Sequence, residues 1–247
     1  MKVRILLIFL LALLGCRQPQ RQLVVLAAAS LREVVLDAAQ ELQKTHQDLV
    51  VQTSFAGSQT LRMQLQQGLQ ADVVLVADDR TAVDLQHDGL ATTRVTWACN
   101  RLVLVVPADN PAQIQSFLDL PKARRLVLGN PESPIGRYAD ARLAQAGLTN
   151  LQIVSREPDV RRVLTKVALG EADAALVYAT DVPMAPKPVV AIELPEASTL
   201  TVPRNSALLV KAAANTADAQ AFLDLVHSPA GLSLATKRGF RACPDTR

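Results

Sequence analysis

The chain has 247 residues, 49% hydrophobic, 20% charged and 3% aromatic, with a formal net charge of +3 and a mean hydropathy of +0.18. That composition supplies a core for one large domain or two modest lobes, and it excludes disordered and collagenous chains. The 26 basic and 23 acidic residues form no cluster, and one Trp, two Tyr and five Phe make no stacking platform, so nucleic acid is not an expected partner.

The first residues read MKVR, an apolar run from Ile5 to Leu14, then Gly15 and Cys16. Two cations, a short apolar run and a small residue make a secretory leader over residues 1–15. The run is well below the roughly 20 residues that span a bilayer. The stretch Leu13-Leu14-Gly15-Cys16 resembles a bacterial lipobox, which makes Cys16 the lipidated first residue of the mature chain; an ordinary leader with a chance cysteine is the competing reading. Residues 16–22 continue as a polar tether. Lys2 and Arg4 leave with the leader, so most of the excess positive charge belongs to export.

With Cys16 acylated, Cys99 and Cys243 remain as an even pair in an oxidising compartment, and a disulfide between them is expected over two free thiols. His46, His87 and His227 lie far apart with no metal-ligand spacing, so no directly coordinated metal and no cofactor are expected.

Apolar runs bounded by turn residues predict strands over 23–29, 49–55, 72–77, 101–106, 125–129, 151–155, 174–178, 189–194 and 206–210. Helical periodicity predicts helices over 31–45, 59–69, 80–88, 135–146, 160–169, 216–227 and 230–237. The alternation argues for an α/β fold with mainly parallel sheets. Two continuous stretches, 96–107 and 199–210, are candidate crossovers. They divide the chain into a first lobe (23–99 and 205–247) and a second lobe (100–204) with a ligand cleft between them, the plan of a type II-like periplasmic binding protein. No internal sequence repeat is visible.

In such sheets ligands sit beyond the carboxyl ends of strands, where helix N-termini present unpaired N–H groups. At the first such joint Ser30 precedes a helix and forms a capping box with Glu33, which leaves its proton free to donate outward. At the second, Ser58 follows Gly57, and Thr60 is an alternative cap. At the third, Pro134 opens a helix and frees the N–H of Ile135 or Gly136. Asp159 caps the fourth helix, so a binding role falls to the N–H of Val160. Tyr178 ends a strand at the fifth joint; such a tyrosine serves either as core or as a neutral hydroxyl donor. Hydroxyls and helix dipoles without a required Lys or Arg suit a fully ionised oxyanion.

The segments AAASL (27–31), SFAGSQTLRMQL (54–65), ADVVLVADD (71–79), NRLVLVVP (100–107), NPESPIGRYA (130–139), DVRRVL (159–164), ALVYATD (175–181) and the terminal GF (239–240) are similar to the periplasmic molybdate-binding proteins of ABC importers. They run in order across nearly the whole mature chain. The resemblance implies a monomeric binding protein, not an enzyme, that captures molybdate and tungstate for permease and ATPase subunits. It is tied to the periplasmic face of a membrane through Cys16. Its oxyanion ligands fall on Ser30 and Ser58, the N–H groups of Ile135 and Val160, and the Tyr178 hydroxyl. The 130–136 loop is one residue shorter than in many relatives, and Ile135 stands where a small residue is common. Two other readings compete: the same fold binding sulfate, thiosulfate or another small oxyanion, and a secreted hydrolase using Ser30 or Ser58. Neither serine sits in G-x-S-x-G, and no histidine has a recognisable acid partner.

Overall fold

The computed structural model describes residues 20–195 and 202–244. The leader, Cys16 and most of the tether lie outside the described residues.

The first sheet contains β1 (Arg21–Ala28), β2 (Leu49–Ala56), β3 (Val73–Val76), β4 (Ala91–Cys99) and β10 (Arg204–Val210) in the order β2-β1-β3-β10-β4. The second contains β5 (Leu102–Pro107), β6 (Leu126–Gly129), β7 (Ile153–Glu157), β8 (Ala174–Tyr178) and β9 (Val189–Glu193) in the order β7-β6-β8-β5-β9. Both orders describe one plan: three parallel strands, then a strand supplied from beyond a crossover, then an edge strand. The structure is therefore internally repeated although the sequence shows no repeat.

Both faces of the first sheet are covered, and β3 shows why its sequence is a continuous apolar run. Val73 and Leu75 join a core with Val34, Val35 and Leu42 of α1 (Arg32–Thr45) and with Phe222, Leu223 and Val226 of α6 (Thr216–His227). Val74 and Val76 point the other way, to Leu61 and Leu65 of α2 (Ser58–Gln66) and Ala82 and Leu85 of α3 (Asp79–His87). The remaining α-helices among the described residues are α4 (Pro134–Gln145), α5 (Val160–Ala168) and α7 (Pro229–Lys237). No helix of the described residues is long and apolar enough to cross a membrane.

The α/β class holds, with two corrections. The sheets are mixed, not mainly parallel: β10 runs antiparallel to β3 and β4, and β5 runs antiparallel to β8 and β9. Each of these strands follows, in sequence, a strand of the other sheet, so the strand-helix-strand return that enforces parallel pairing within a sheet does not apply. The expected continuous crossover at 96–107 is two strands, β4 and β5, parted at Asn100 and Arg101. The start of β4, with Thr92, Thr93 and Arg94, has an exposed face and no apolar run, which hid it from a reading based on buried strands.

Cys99 and Cys243 are disulfide-bonded across 144 residues of sequence. Cys99 and Arg241 also exchange backbone hydrogen bonds of 2.8 and 2.9 Å, so the C-terminal segment pairs with the end of β4 where the chain leaves for the second sheet. Reduction, or Cys99→Ser with Cys243→Ser, is expected to cost about 2–5 kcal/mol of stability. Chemical denaturation followed by far-ultraviolet dichroism checks this, with the native spectrum retained before unfolding.

Candidate functional site

The carboxyl ends of β1, β2, β6, β7 and β8 converge on one cavity of about 20 Å³. Ser30, Ser58, Ile135, Val160 and Tyr178 all line it, together with Ala28, Gly57, Ala77, Ser133, Pro134 and Pro158. The five positions singled out in the sequence are thus brought together. The volume lies far below the roughly 300–1,000 Å³ of pockets for drug-sized ligands, so the site fits a compact ion.

Each joint presents a donor for a local reason. Ser30 sits inside a 3₁₀ turn, Ala29–Leu31, ahead of α1, and makes no capping hydrogen bond. The expected capping box is therefore absent. The turn carries the chain past the strand end before α1 begins, and Glu33 is engaged elsewhere. Ser58 is the first residue of α2, and Gly57, not Ser58 or Thr60, occupies the cap position. The Ser58 Oγ accepts from the backbone N–H of Ala77 at 3.1 Å, which directs its own proton elsewhere.

Pro134 opens α4 behind a Ser133 cap, whose Oγ accepts from the Gly136 N–H at 3.2 Å. Gly136 is consumed by the cap, which leaves Ile135 as the free donor of the two alternatives. A Cβ on Gly136 would come within 2.0 Å of the Asn130 carbonyl oxygen, so only glycine lets this turn press onto the end of β6. Asp159 caps α5 as expected, accepting from Arg161 and Arg162 N–H. The only carboxylate among the lining residues is thereby turned to its own helix. Val160, first in α5, has no intrahelical acceptor for its N–H.

Tyr178 is 2% exposed, and its hydroxyl has no hydrogen-bond partner among the described residues. Burial, with Tyr138 and Asp78 adding to it, pushes its pKa well above that of a free phenol, so it stays a neutral donor. Its ring packs edge-on to Tyr138 at 6.5 Å. An unpaired hydroxyl here costs stability and is compensated when an acceptor arrives.

Sequence reasoning missed the charged groups around the cavity. Arg137 of α4 reaches across to Asp78 and, at 3.0 Å, to Thr81 Oγ1. Arg161 of α5 reaches Glu33 at 2.5 Å, and its Nε lies 2.6 Å from Asp181 Oδ1 without hydrogen-bond alignment. Both arginines lie inside quoted motifs, NPESPIGRYA and DVRRVL, but nothing local signals partners in the opposite lobe. Asp181 is fully buried, and desolvation, opposed by Arg161, pushes its pKa up to about 7. Among the described residues no cluster of His, Cys, Asp or Glu could hold a metal ion.

The profile of the bacterial extracellular solute-binding proteins matches residues 23–241. The chain belongs to that family. It is 35% identical over 228 residues to the molybdate-binding protein ModA of Mycobacterium tuberculosis, covering 92% of this chain and 87% of the relative. In structure it is similar to the periplasmic molybdate-binding protein of Azotobacter vinelandii, at a TM-score of 0.77 and 22% identity over 90% of this chain and all of that one. The sulfate-binding protein SubI of M. tuberculosis scores 0.76 at 20% identity, covering 90% of this chain and 87% of that one, so the fold by itself does not select the anion. Its relatives bind solutes, and the chain is a binding protein, not an enzyme.

Two measurements test this site. Tyr178→Phe is expected to raise the melting temperature of the ligand-free protein, by removing an unpaired buried hydroxyl, and to weaken anion binding by about 1–3 kcal/mol. Calorimetry on both forms reads the two effects. Because the folded pKa of Asp181 lies above its ordinary value of 3.8, the folded state holds the extra proton between about pH 4 and 7. Its contribution to stability therefore falls as pH rises through that window, and Asp181→Asn should flatten this part of the denaturation profile.

Proposed function

We propose that this chain is an exported, lipid-anchored binding protein that captures molybdate, and tungstate with it, for the permease and ATPase of an ABC importer. The lobes divide at 99/100 and 204/205 and close as a monomer on the anion, which is held by Ser30, Ser58, Ile135, Val160 and Tyr178. Cys16 carries the lipid.

The observation that carries this reading is the Tyr178 hydroxyl, buried without a partner beside a small cavity that Ser30, Ser58 and the first residues of α4 and α5 also line. Such a cavity suits an anion with no proton of its own. A protonated oxyanion would turn an O–H toward donors, whereas molybdate and tungstate are fully ionised near neutral pH. No free cation is required, because helix N-termini supply partial positive charge. The similarity to the mycobacterial molybdate-binding protein over nearly the whole chain supports the same ligand class.

Sulfate is the competing ligand. Its shorter bonds to oxygen would leave some donors of a ring spaced for molybdate unpaired, at about 1.5–3 kcal/mol for each charged hydrogen bond lost. A serine hydrolase is disfavoured, because no histidine lines the cavity and Ser58 Oγ accepts from a backbone N–H. Isothermal titration of the purified protein with molybdate, tungstate, sulfate and thiosulfate decides the matter. Submicromolar binding of the first two is expected, with sulfate weaker by about tenfold or more. Submicromolar sulfate binding without molybdate heat would overturn the assignment.

A further inference from the structure

Each helix whose first turn offers an N–H to the cavity also carries, within two residues, a side chain that crosses the cleft. Ile135 is followed by Arg137, which pairs with Asp78 and Thr81 at the start of α3 in the first lobe. Val160 is followed by Arg161, which pairs with Glu33 of α1 in that lobe. Ser58 is followed by Gln59, which crosses in the opposite direction to donate to the Pro158 carbonyl at 2.6 Å. Gly57 lies so near this carbonyl that a Cβ would stand 2.6 Å from its oxygen. The cavity is thus ringed by cross-lobe bridges, each one or two residues from a lining position.

Two guanidinium groups beside an anion site would ordinarily be taken as its ligands. Here their charges are already committed. Asp78 is 3% exposed, so an Arg137 that swung toward the anion would leave a desolvated carboxylate uncompensated, and an Arg161 that did so would give up Glu33. The Arg161 side chain is held from behind by Asp181 in its own lobe and meets Glu33 in front, so opening the cleft breaks the front contact alone.

We propose that Arg137 and Arg161 are latch residues: they hold the two lobes shut around the anion without touching it, and thereby set its rate of release. This rests on the oxyanion-binding reading above. Closure forms the bridges after the anion has entered, so they act on dissociation and leave association nearly unchanged. The anion draws the N-termini of α4 and α5 toward the first lobe and brings the latch arginines into register with their carboxylates.

The test is a double-mutant cycle on Glu33 and Arg161, read by stopped-flow dissociation of molybdate, with Arg137→Gln for the second bridge. Glu33→Gln is the primary variant, because Glu33 is partly exposed and its loss leaves the Arg161–Asp181 pair in place. Glu33→Gln, Arg161→Gln and Arg137→Gln should each speed release about tenfold with the association rate within about twofold. The Glu33→Gln, Arg161→Gln double variant should be little faster than either single one. Unchanged release in Glu33→Gln, in a wild type that binds molybdate, overturns the latch. Additive effects with a much larger loss in Arg161→Gln also overturn it and make that arginine a ligand. If the wild type binds no molybdate but gives heat with sulfate or thiosulfate, the choice of anion fails by itself, and the same cycle is read on release of the anion that binds: faster release in Glu33→Gln supports the latch, and unchanged release refutes it. If no oxyanion binds, the latch falls together with the reading it rests on.

Discussion

The first N–H groups of a helix have no acceptor inside that helix, and they must be met by something outside it. Here such groups on α4 and α5 are aimed, with two serines and a tyrosine, into a single small cavity between two lobes. Nearly everything around the cavity serves that arrangement. Ser133 and Asp159 use their side chains on the neighbouring N–H groups of the same turns, which leaves Ile135 and Val160 as the donors that remain. The backbone N–H of Ala77 occupies a lone pair of Ser58 and so orients its proton. On the proposed reading, the affinity of this site for negative charge comes from oriented dipoles, while the nearby cations are paired with carboxylates of their own.

That division of labour separates two properties often merged in anion sites. On the proposed reading, recognition belongs to neutral donors whose spacing is fixed by strand ends and helix starts, and persistence to the charged side chains that link one lobe to the other. A site that relied on net positive charge would draw in many anions, because the field of a charge acts at long range on any of them. Fixed N–H and O–H groups lose contacts when the ion is too small, and each loss in a dry site is costly.

Much of this was legible in the sequence because it is local. The strands and helices follow from apolar runs and periodicity, and Ser58, Ile135, Val160 and Tyr178 fall where a strand ends and a helix or turn begins. The resemblance to molybdate-binding proteins placed the same residues in one site. Ser30 lines the same cavity, but its local geometry differs from the expected one, since a 3₁₀ turn and a capped α-helix share the same short sequence signals. What was not legible is long-range. Arg161 meets Glu33 across 128 residues and Arg137 meets Asp78 across 59, and no spacing rule links such partners. The mixed sheets were missed for a related reason, because the direction of β5 and β10 is set by where the chain crosses between lobes. The early part of β4 was missed because its threonines face outward.

The strand order has a consequence for how the molecule is made. The second sheet is assembled from one contiguous stretch, residues 102–193, whereas the first has its fourth position filled by β10, residues 204–210. β4 pairs with no other strand of that sheet, so it has no ladder to join until β10 arrives between it and β3. A chain emerging N-terminus first therefore presents an incomplete first lobe until its last fifth is available, and the bond from Cys99 to Cys243 comes later still. Such dependence on distant segments slows folding. For a polypeptide carrying the export leader proposed above, slow completion is an advantage, since the segment that finishes the fold is among the last to cross.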